Sequence, residues 1–215
     1  AVLAIGTRFY FRDMPMDDLK IVHIDVDPEE IGKNYPTNAG VVADAKKALT
    51  QLIPQLQAIG AERKSRVDEV SDYRKEFIQK IQSVAPDQLG IVESIAAELN
   101  EDDIVVSGVT TIGYWSNIAY PARKPRTFLT SSYFGTLGYA FPTALGAKVA
   151  CPDRNVVALS GDGGFMYNPQ ELSTAVKNNI NTVCVLFNNN AYGASEWDQM
   201  ARYKGRYIGT NLLNP

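Results

Sequence analysis

Two cysteines and a single histidine in 215 residues leave little material for a disulfide framework or a histidine-based metal centre. Cys151 and Cys184 stand far apart with no second Cys or His at ligand spacing. They read as reduced, mostly buried thiols, which favours a cytoplasmic protein. No apolar run approaches the roughly 18 residues that a membrane helix needs. The opening Ala1-Val-Leu-Ala-Ile5 is also too short for the apolar core of a signal peptide. The one basic cluster, Arg202 to Arg206, is broken by Tyr203 and Gly205, and the formal net charge is −3. Nucleic acid and membrane are therefore not expected partners. Internal repeats and low-complexity tracts are absent.

What is present is ordinary globular material, 45% apolar and 21% charged, enough for one large or two small domains. The chain opens without Met inside a strand-like run and stops at Asn211-Leu-Leu-Asn-Pro215, where proline would open a helix. A longer protein is expected at both ends. Residues 1–55 read as α/β material: strands VLAIG and KIVHIDVD, then a helix from Asp44 through Ala45, Ala48, Leu49, Leu52 and Ile53, ended by Pro54. The mixed-charge stretch Glu62 to Lys80 reads as a partly helical, solvated connection, giving a linker over 56–85. From Pro86 a regular alternation predicts helix QLGIVESIAAEL, strand DIVVSG, an irregular aromatic segment, helix PTALGAKVA, strand NVVALSG, helix PQELSTAVKNN and strand TVCVLFN. Strands alternating with helices imply a parallel sheet.

Chemistry concentrates in one βαβ unit. Strand Val156–Ser160 runs into Gly161-Asp162-Gly163-Gly164, and strand Val183–Phe187 runs into Asn188-Asn189-Asn190. A right-handed crossover puts both clusters at the carboxyl edge of the sheet, where open α/β folds bind ligands. The glycines allow positive φ and close approach of N–H groups to an anion such as phosphate. Asp162 facing a phosphate needs a cation between them; Mg²⁺ takes oxygens, and the Asp162 carboxylate, the Asn189 amide oxygen and a backbone carbonyl fit it. The intervening helix has its own signals, Asn168 as N-cap and Pro169 at the first position, with Leu172, Ala175 and Val176 as its buried face.

GDG, 24 intervening residues, then NN is similar to the signature of the thiamine-diphosphate-dependent enzymes. The stretch Gly135-Thr-Leu-Gly-Tyr-Ala-Phe-Pro-Thr-Ala-Leu-Gly146 resembles the segment preceding that signature, and Val22–Lys33 and Gly40–Lys46 resemble the end of the family's central domain. The resemblance, to acetolactate synthases and 2-oxo-acid decarboxylases, covers nearly the whole chain. It implies an α/β fold of parallel sheets flanked by helices: a thiamine-diphosphate-binding domain at 86–215, truncated, preceded by part of a Rossmann-like central domain at 1–55. It implies thiamine diphosphate and Mg²⁺ as cofactors, with Asp162, Asn189 and the carbonyl of Ala191 on the metal. Gly163 and Gly164 would hold the diphosphate, with Val109, Thr110 and Thr111 in a loop beside it and Tyr192 and Gly193 continuing the binding run. Leu137 would be the apolar wedge that bends the cofactor, and the Gly135 carbonyl would accept from its aminopyrimidine. The family's catalytic Glu resides in an N-terminal domain outside this chain, so no catalytic residue is assigned and the chain alone is expected to be inactive and to bind cofactor weakly.

Departures narrow the reading. Ser195 stands where the pyruvate-decarboxylase branch has a Glu, and Glu196 is one position out of register, as is Trp197 with the Trp of acetolactate synthases. Tyr10-Phe11 replaces an acidic pair of the acetolactate synthases, which counts against FAD without excluding it. Asp25 and Asp27 resemble the ribose contact of dinucleotide folds, but no G-x-G-x-x-G precedes them and a strand-end turn is the expected role. His23 is expected to pack within its strand. Tyr114, Trp115, Tyr120, Tyr133 and Phe134 are candidates for lining a cleft or packing against other domains. The expected activity is decarboxylation of a 2-oxo acid such as pyruvate followed by carboligation, in a homodimer or homotetramer. Simple decarboxylation, or a non-catalytic nucleotide- or cofactor-binding module, is the alternative.

Overall fold

The computed structural model describes residues 1–10, 18–60, 64–131 and 134–214; Phe11, Glu62, Tyr133 and Pro215, which entered the reading above, lie outside the described residues. The chain divides into two compact units, Ala1–Asp68 and Glu69–Pro215, each with its own parallel sheet.

In the first unit, β1 (Val2–Ile5), β2 (Ile21–Asp25) and β3 (Ala39–Val42) pair in that order, all parallel. β2 is central and mostly buried, and Ile21 packs with Ala4 and Phe9. His23 is buried there as expected, its Nε2 2.9 Å from the Thr7 carbonyl. Asp25 accepts from the Asp27 N–H at 3.0 Å, and Asp27 from the Glu29 N–H at 2.9 Å, a hydrogen-bonded turn at the end of the strand. β3 was not foreseen: its four residues are all exposed, and Ala39-Gly40 gives no alternation to mark it. Helix α1 (Ala45–Ala58) begins where Asp44 accepts from the Lys47 N–H at 3.0 Å. It does not stop at Pro54 but runs a further turn, although an interior proline loses the bond to the carbonyl four residues back and crowds that carbonyl with its ring.

Helix α2 (Val67–Val84) is fully regular where only partial helix was expected. Its surface pairs Lys75–Asp72 (2.9 Å) and Lys80–Glu76 (2.8 Å) add little, but Ile81 is buried among Leu89, Val92, Ile112 and Ala119, which gives the helix a packing reason to form. Helix α3 (Pro86–Ala97) follows, with proline at its first position.

The second sheet contains β4 (Ile104–Ser107), β5 (Phe128–Thr130), β6 (Val156–Gly161) and β7 (Val183–Phe187), all parallel, in the order β5-β4-β6-β7. Helix α4 (Thr111–Ala119) connects β4 to β5, and helix α5 (Ala140–Ala150) connects β5 to β6. The segment read as irregular and aromatic therefore holds α4 and β5; its mixed Tyr, Trp and Pro content hid both periods. Ile104, Val106, Val156 and Ala158 face α5, whose Ala140 and Ala144 let the helix come close. On the opposite face Val105, Val157 and Leu159 pack with Ile95, Leu99 and Phe128. Both faces are covered, so the central strands are continuously apolar.

A buried carboxylate pins the start of this sheet. Asp103 accepts from the Asn100 N–H (2.8 Å) and the Asn155 N–H (3.0 Å), and from the amides of Asn100 (3.3 Å) and Asn155 (3.2 Å), joining the entries to β4 and β6. Burial pushes its pKa up, but these four donors outweigh burial and hold it below the usual carboxylate range. A depressed folded-state pKa gives stability that is complete above the unfolded value of about 3.9 and is lost as pH falls through the folded one. Asp103→Asn should therefore lower the denaturation midpoint at neutral pH and flatten the acid limb of stability against pH, as measured by urea unfolding at a series of pH values.

Candidate functional site

The strand order creates the site. From β4 the chain crosses to β5 on one side, and β6 lies on the other, so the carboxyl ends of β4 and β6 flank a topological switch point, where a crevice opens in this class of sheet. Register keeps the ends level: Ser107 pairs with Leu159, and Gly161 with Phe187. A cleft of about 480 Å³ lies there. Its walls are Val109, Thr110 and Thr111 after β4, Gly161 to Gly164 after β6, Asn188, Asn189, Ala191, Tyr192 and Gly193 after β7, and Leu137 from the loop before α5.

Eleven of the twelve residues singled out from the sequence thus meet in one cleft. Gly135 is the exception: it has φ +57 and does not line the cleft. Gly138, three residues on, has φ +77, and its carbonyl accepts from the Asn168 amide at 2.8 Å. That bond and the left-handed backbone hold the loop against residues 167–168, and an added Cβ at Gly138 would sit 2.5 Å from the Asn168 amide nitrogen. Leu137 is set beside Gly164 by this anchor, with its Cδ2 3.9 Å from where a Gly164 Cβ would be. Asn168 is consequently not the side-chain cap expected of it. Helix α7 (Glu171–Lys177) starts two residues later than expected and buries no residue; Val176 is 78% exposed.

The glycine run after β6 also behaves differently from expectation. None of Gly161, Gly163 and Gly164 has positive φ; Asp162–Phe165 instead forms a single helical turn, α6. The glycines serve close approach. A Cβ on Gly161 would lie 2.9 Å from Thr110 Oγ1, and one on Gly163 would lie 2.6 and 2.8 Å from the Tyr192 ring, whereas one on Gly164 meets nothing closer than 3.6 Å. Asp162 is 4% exposed, and its Oδ2 accepts from the Asn214 amide at 2.7 Å. That amide nitrogen also stands 3.0 Å from Asn188 Oδ1 and 3.1 Å from Asn190 Oδ1, so three side-chain oxygens focus on one donor. The segment carrying Asn214 returns beside Gly163 and Tyr192 through an antiparallel bridge between Ala191 and Asn211, with the Tyr192 N–H donating to Thr210 O at 2.8 Å.

Among the described residues no three His, Cys, Asp or Glu side chains gather to hold a metal. The oxygens gathered at Asp162, its carboxylate and the side-chain amide oxygens of Asn188 and Asn190, are of the kind that hard divalent cations take. Other candidates separate. Tyr114 lines the cleft, Trp115 packs beside the cluster of Ile81, Leu89 and Ile112, Tyr120 stacks on Phe128 at 5.1 Å between centroids, and Phe134 is exposed. Ser195, early in helix α8 (Gly193–Tyr203), lines the cleft; Glu196 turns away to accept from Thr210 Oγ1 at 3.1 Å, and Trp197 is 75% exposed. Both cysteines are free and half-buried, and burial raises the Cys184 thiol pKa. No described helix is long and apolar enough to cross a membrane. Sequence reasoning missed Gln88 and Ile91 of α3, which form a cleft wall, as well as Asn214; it placed Asn188 at the sheet edge within the Asn188–Asn190 cluster without a role of its own. Nothing in the local pattern marks a helix flank or a chain return as part of a distant cleft.

Two family descriptions match the chain: residues 108–215 match the C-terminal TPP binding domain of thiamine pyrophosphate enzymes, and residues 1–52 match the central domain of the same enzymes. The acetolactate synthase large subunit of Corynebacterium glutamicum is 36% identical over 225 residues, a match covering 99% of this chain and 36% of that relative. The acetolactate synthase isozyme 1 large subunit of Escherichia coli K12 is 33% identical, covering 94% and 37%. A probable 2-ketoarginine decarboxylase of Pseudomonas aeruginosa is 32% identical, covering 93% and 36%. The chain spans just over a third of the length of these relatives.

The Tyr192 ring is the floor that Gly163 touches. The neighbouring Tyr167 hydroxyl, then burial and the nearby Tyr167 and Asp162 charges, raise the Tyr192 pKa above that of a free phenol. Tyr167→Phe should lower it toward the ordinary value of about 10. Gly163→Ala, which forces the ring to move, should do the same while Gly164→Ala leaves it unchanged; ultraviolet titration of the phenols at alkaline pH reads all three.

Proposed function

We propose that this chain, which belongs to the thiamine pyrophosphate enzymes, holds thiamine diphosphate in the cleft at the β4–β6 switch point through a divalent cation, Mg²⁺, bound at Asp162, Asn189 and the Ala191 carbonyl. The observation that carries this reading is the convergence of those residues with Val109, Thr110, Thr111, Leu137, Gly163 and Gly164 on one cleft. Its volume is within the roughly 300–1,000 Å³ that small-molecule sites occupy. The donor set supports the metal: a buried carboxylate, amide oxygens and a carbonyl are hard ligands, and the only histidine, His23, belongs to the other unit.

When bound, the cofactor supplies the carbanion chemistry; the protein contributes placement, electrostatics and exclusion of water. Asp162 would hold the cation whose charge balances its own carboxylate and the diphosphate. Gly163 and Gly164 keep side chains away from the approaching phosphate oxygens. Thr110 and Thr111, whose hydroxyls make no hydrogen bond among the described residues, offer them to the same group. Leu137, braced by the Gly138–Asn168 bond, presents an apolar surface for the cofactor to bend over. Gln88, Ile91, Tyr114 and Ser195 form the remaining wall, where a 2-oxo acid such as pyruvate would sit. No side chain of this chain is assigned as the acid or base; on this reading that group comes from another domain, and the whole protein is a homodimer or homotetramer.

Decarboxylation of a 2-oxo acid is the step we assign, because it is common to the synthase and decarboxylase chemistry suggested by the relatives' names. Carboligation is its assigned outcome. The absence of a carboxylate at Ser195, and the engagement of Glu196 by Thr210, leave no acid on α8 facing the cleft to protonate the product.

Calorimetric titration of thiamine diphosphate should show binding with Mg²⁺ and none with EDTA, and Asp162→Ala should weaken it by more than the roughly 100-fold that outer-shell changes cost. Equal affinity in EDTA, or an unaffected Asp162→Ala protein, would remove the cation from the reading.

A further inference from the structure

Asn214 is the feature that the reading above leaves unused. Its amide nitrogen makes a 2.7 Å contact with Asp162 Oδ2 and contacts of 3.0 and 3.1 Å with Asn188 Oδ1 and Asn190 Oδ1. Three acceptors face two N–H bonds, so the orientation of the amide follows from its surroundings: turned over, it would set its own oxygen against a carboxylate and two carbonyl-type oxygens. Asp162 is almost wholly buried, and its Oδ1 accepts no hydrogen bond among the described residues. One oxygen of the carboxylate is therefore clamped and the other is left for a ligand.

We propose that Asn214 is a positioning residue for the cation site, an outer-shell donor that fixes the Asp162 carboxylate and ties the Asn188–Asn190 loop to it. The inference rests on the reading of Asp162 as a cation ligand. As placed, the amide presents N–H groups and cannot itself coordinate a cation. Its effect runs through Asp162, by the same logic that makes hydrogen-bonded partners of metal-ligating groups matter: a ligand whose rotamer is already fixed loses less freedom on binding. Asn214 also bridges two strand ends that no backbone hydrogen bond joins beyond the Gly161–Phe187 pair, since Asp162 follows β6 and Asn188 and Asn190 follow β7. The antiparallel bridge at Ala191–Asn211, together with the Leu212 N–H donating to Asn190 O at 2.8 Å, holds the strap that delivers it.

The test uses the full chain and Mn²⁺ as a spectroscopic probe, titrated by electron paramagnetic resonance with and without thiamine diphosphate. Asn214→Ala should weaken Mn²⁺ binding about 10- to 100-fold, read at a temperature at which circular dichroism shows the cation-free variant folded. Asn214→Gln, which keeps the amide donor, should recover part of that affinity. Binding by Asn214→Ala within twofold of the parent, or tighter than it, overturns the inference, the latter because the amide would then be an obstruction. A loss that Asn214→Gln does not relieve overturns it too. If the unaltered protein binds no Mn²⁺, the Asp162 reading falls and takes this one with it; if Asp162→Ala abolishes binding and Asn214→Ala does not weaken it, only the role of Asn214 falls.

Discussion

The burial of β6 between two covered faces is the constraint on which the rest depends. Val156 to Ser160 are all buried, with Ala140 and Ala144 of α5 on one side and the Val105–Leu159 layer, backed by Ile95 and Leu99, on the other. A strand so enclosed has no freedom of register, because a slip of one residue would exchange its two apolar faces. The position of Asp162 at the edge of the sheet follows directly. A buried carboxylate could not be held there by a strand that was free to slide, and the cost of desolvating it is met by the Asn214 donor on one oxygen.

Close approach, rather than unusual backbone, is what the glycines of the cleft provide. At Gly161 and Gly163 the space for a Cβ is taken by Thr110 and Tyr192, so residues following three different strands can crowd one crevice. Gly138 is the counterexample, needing both a left-handed backbone and the absence of a side chain beside Asn168. These small residues fix the depth of the cleft, while Leu137, Tyr114 and Ile91 give it an apolar wall. The site thus combines a hard, oxygen-lined end with a softer end, the arrangement that a charged diphosphate joined to aromatic rings requires.

Much of this was legible before any coordinates. Continuous apolar runs at β4, β6 and β7 announced a covered parallel sheet, and a right-handed crossover forced the GDG and NNN clusters to the same edge. β3, β5 and α4 escaped notice because short exposed strands and an aromatic-rich helix carry neither clean alternation nor a clear 3.6-residue stripe. Pro54 misled because a helix already capped at Asp44 tolerates one missing bond. The apolar stripe of α7 was read as buried although Leu172 and Val176 are exposed, since periodicity records amphipathicity but not what covers it.

The sequence by itself determined the class of fold, through strand periodicity, and the family, through motifs whose resemblance singled out twelve residues, eleven of which line the cleft. Only the tertiary structure decided that Gly135 stands outside the cleft, that Gln88 and Ile91 form one of its walls, and that Asn214 clamps Asp162 across 52 residues of chain. Those facts depend on how helices and returning segments pack, and packing joins residues whose separation in sequence carries no trace of their contact.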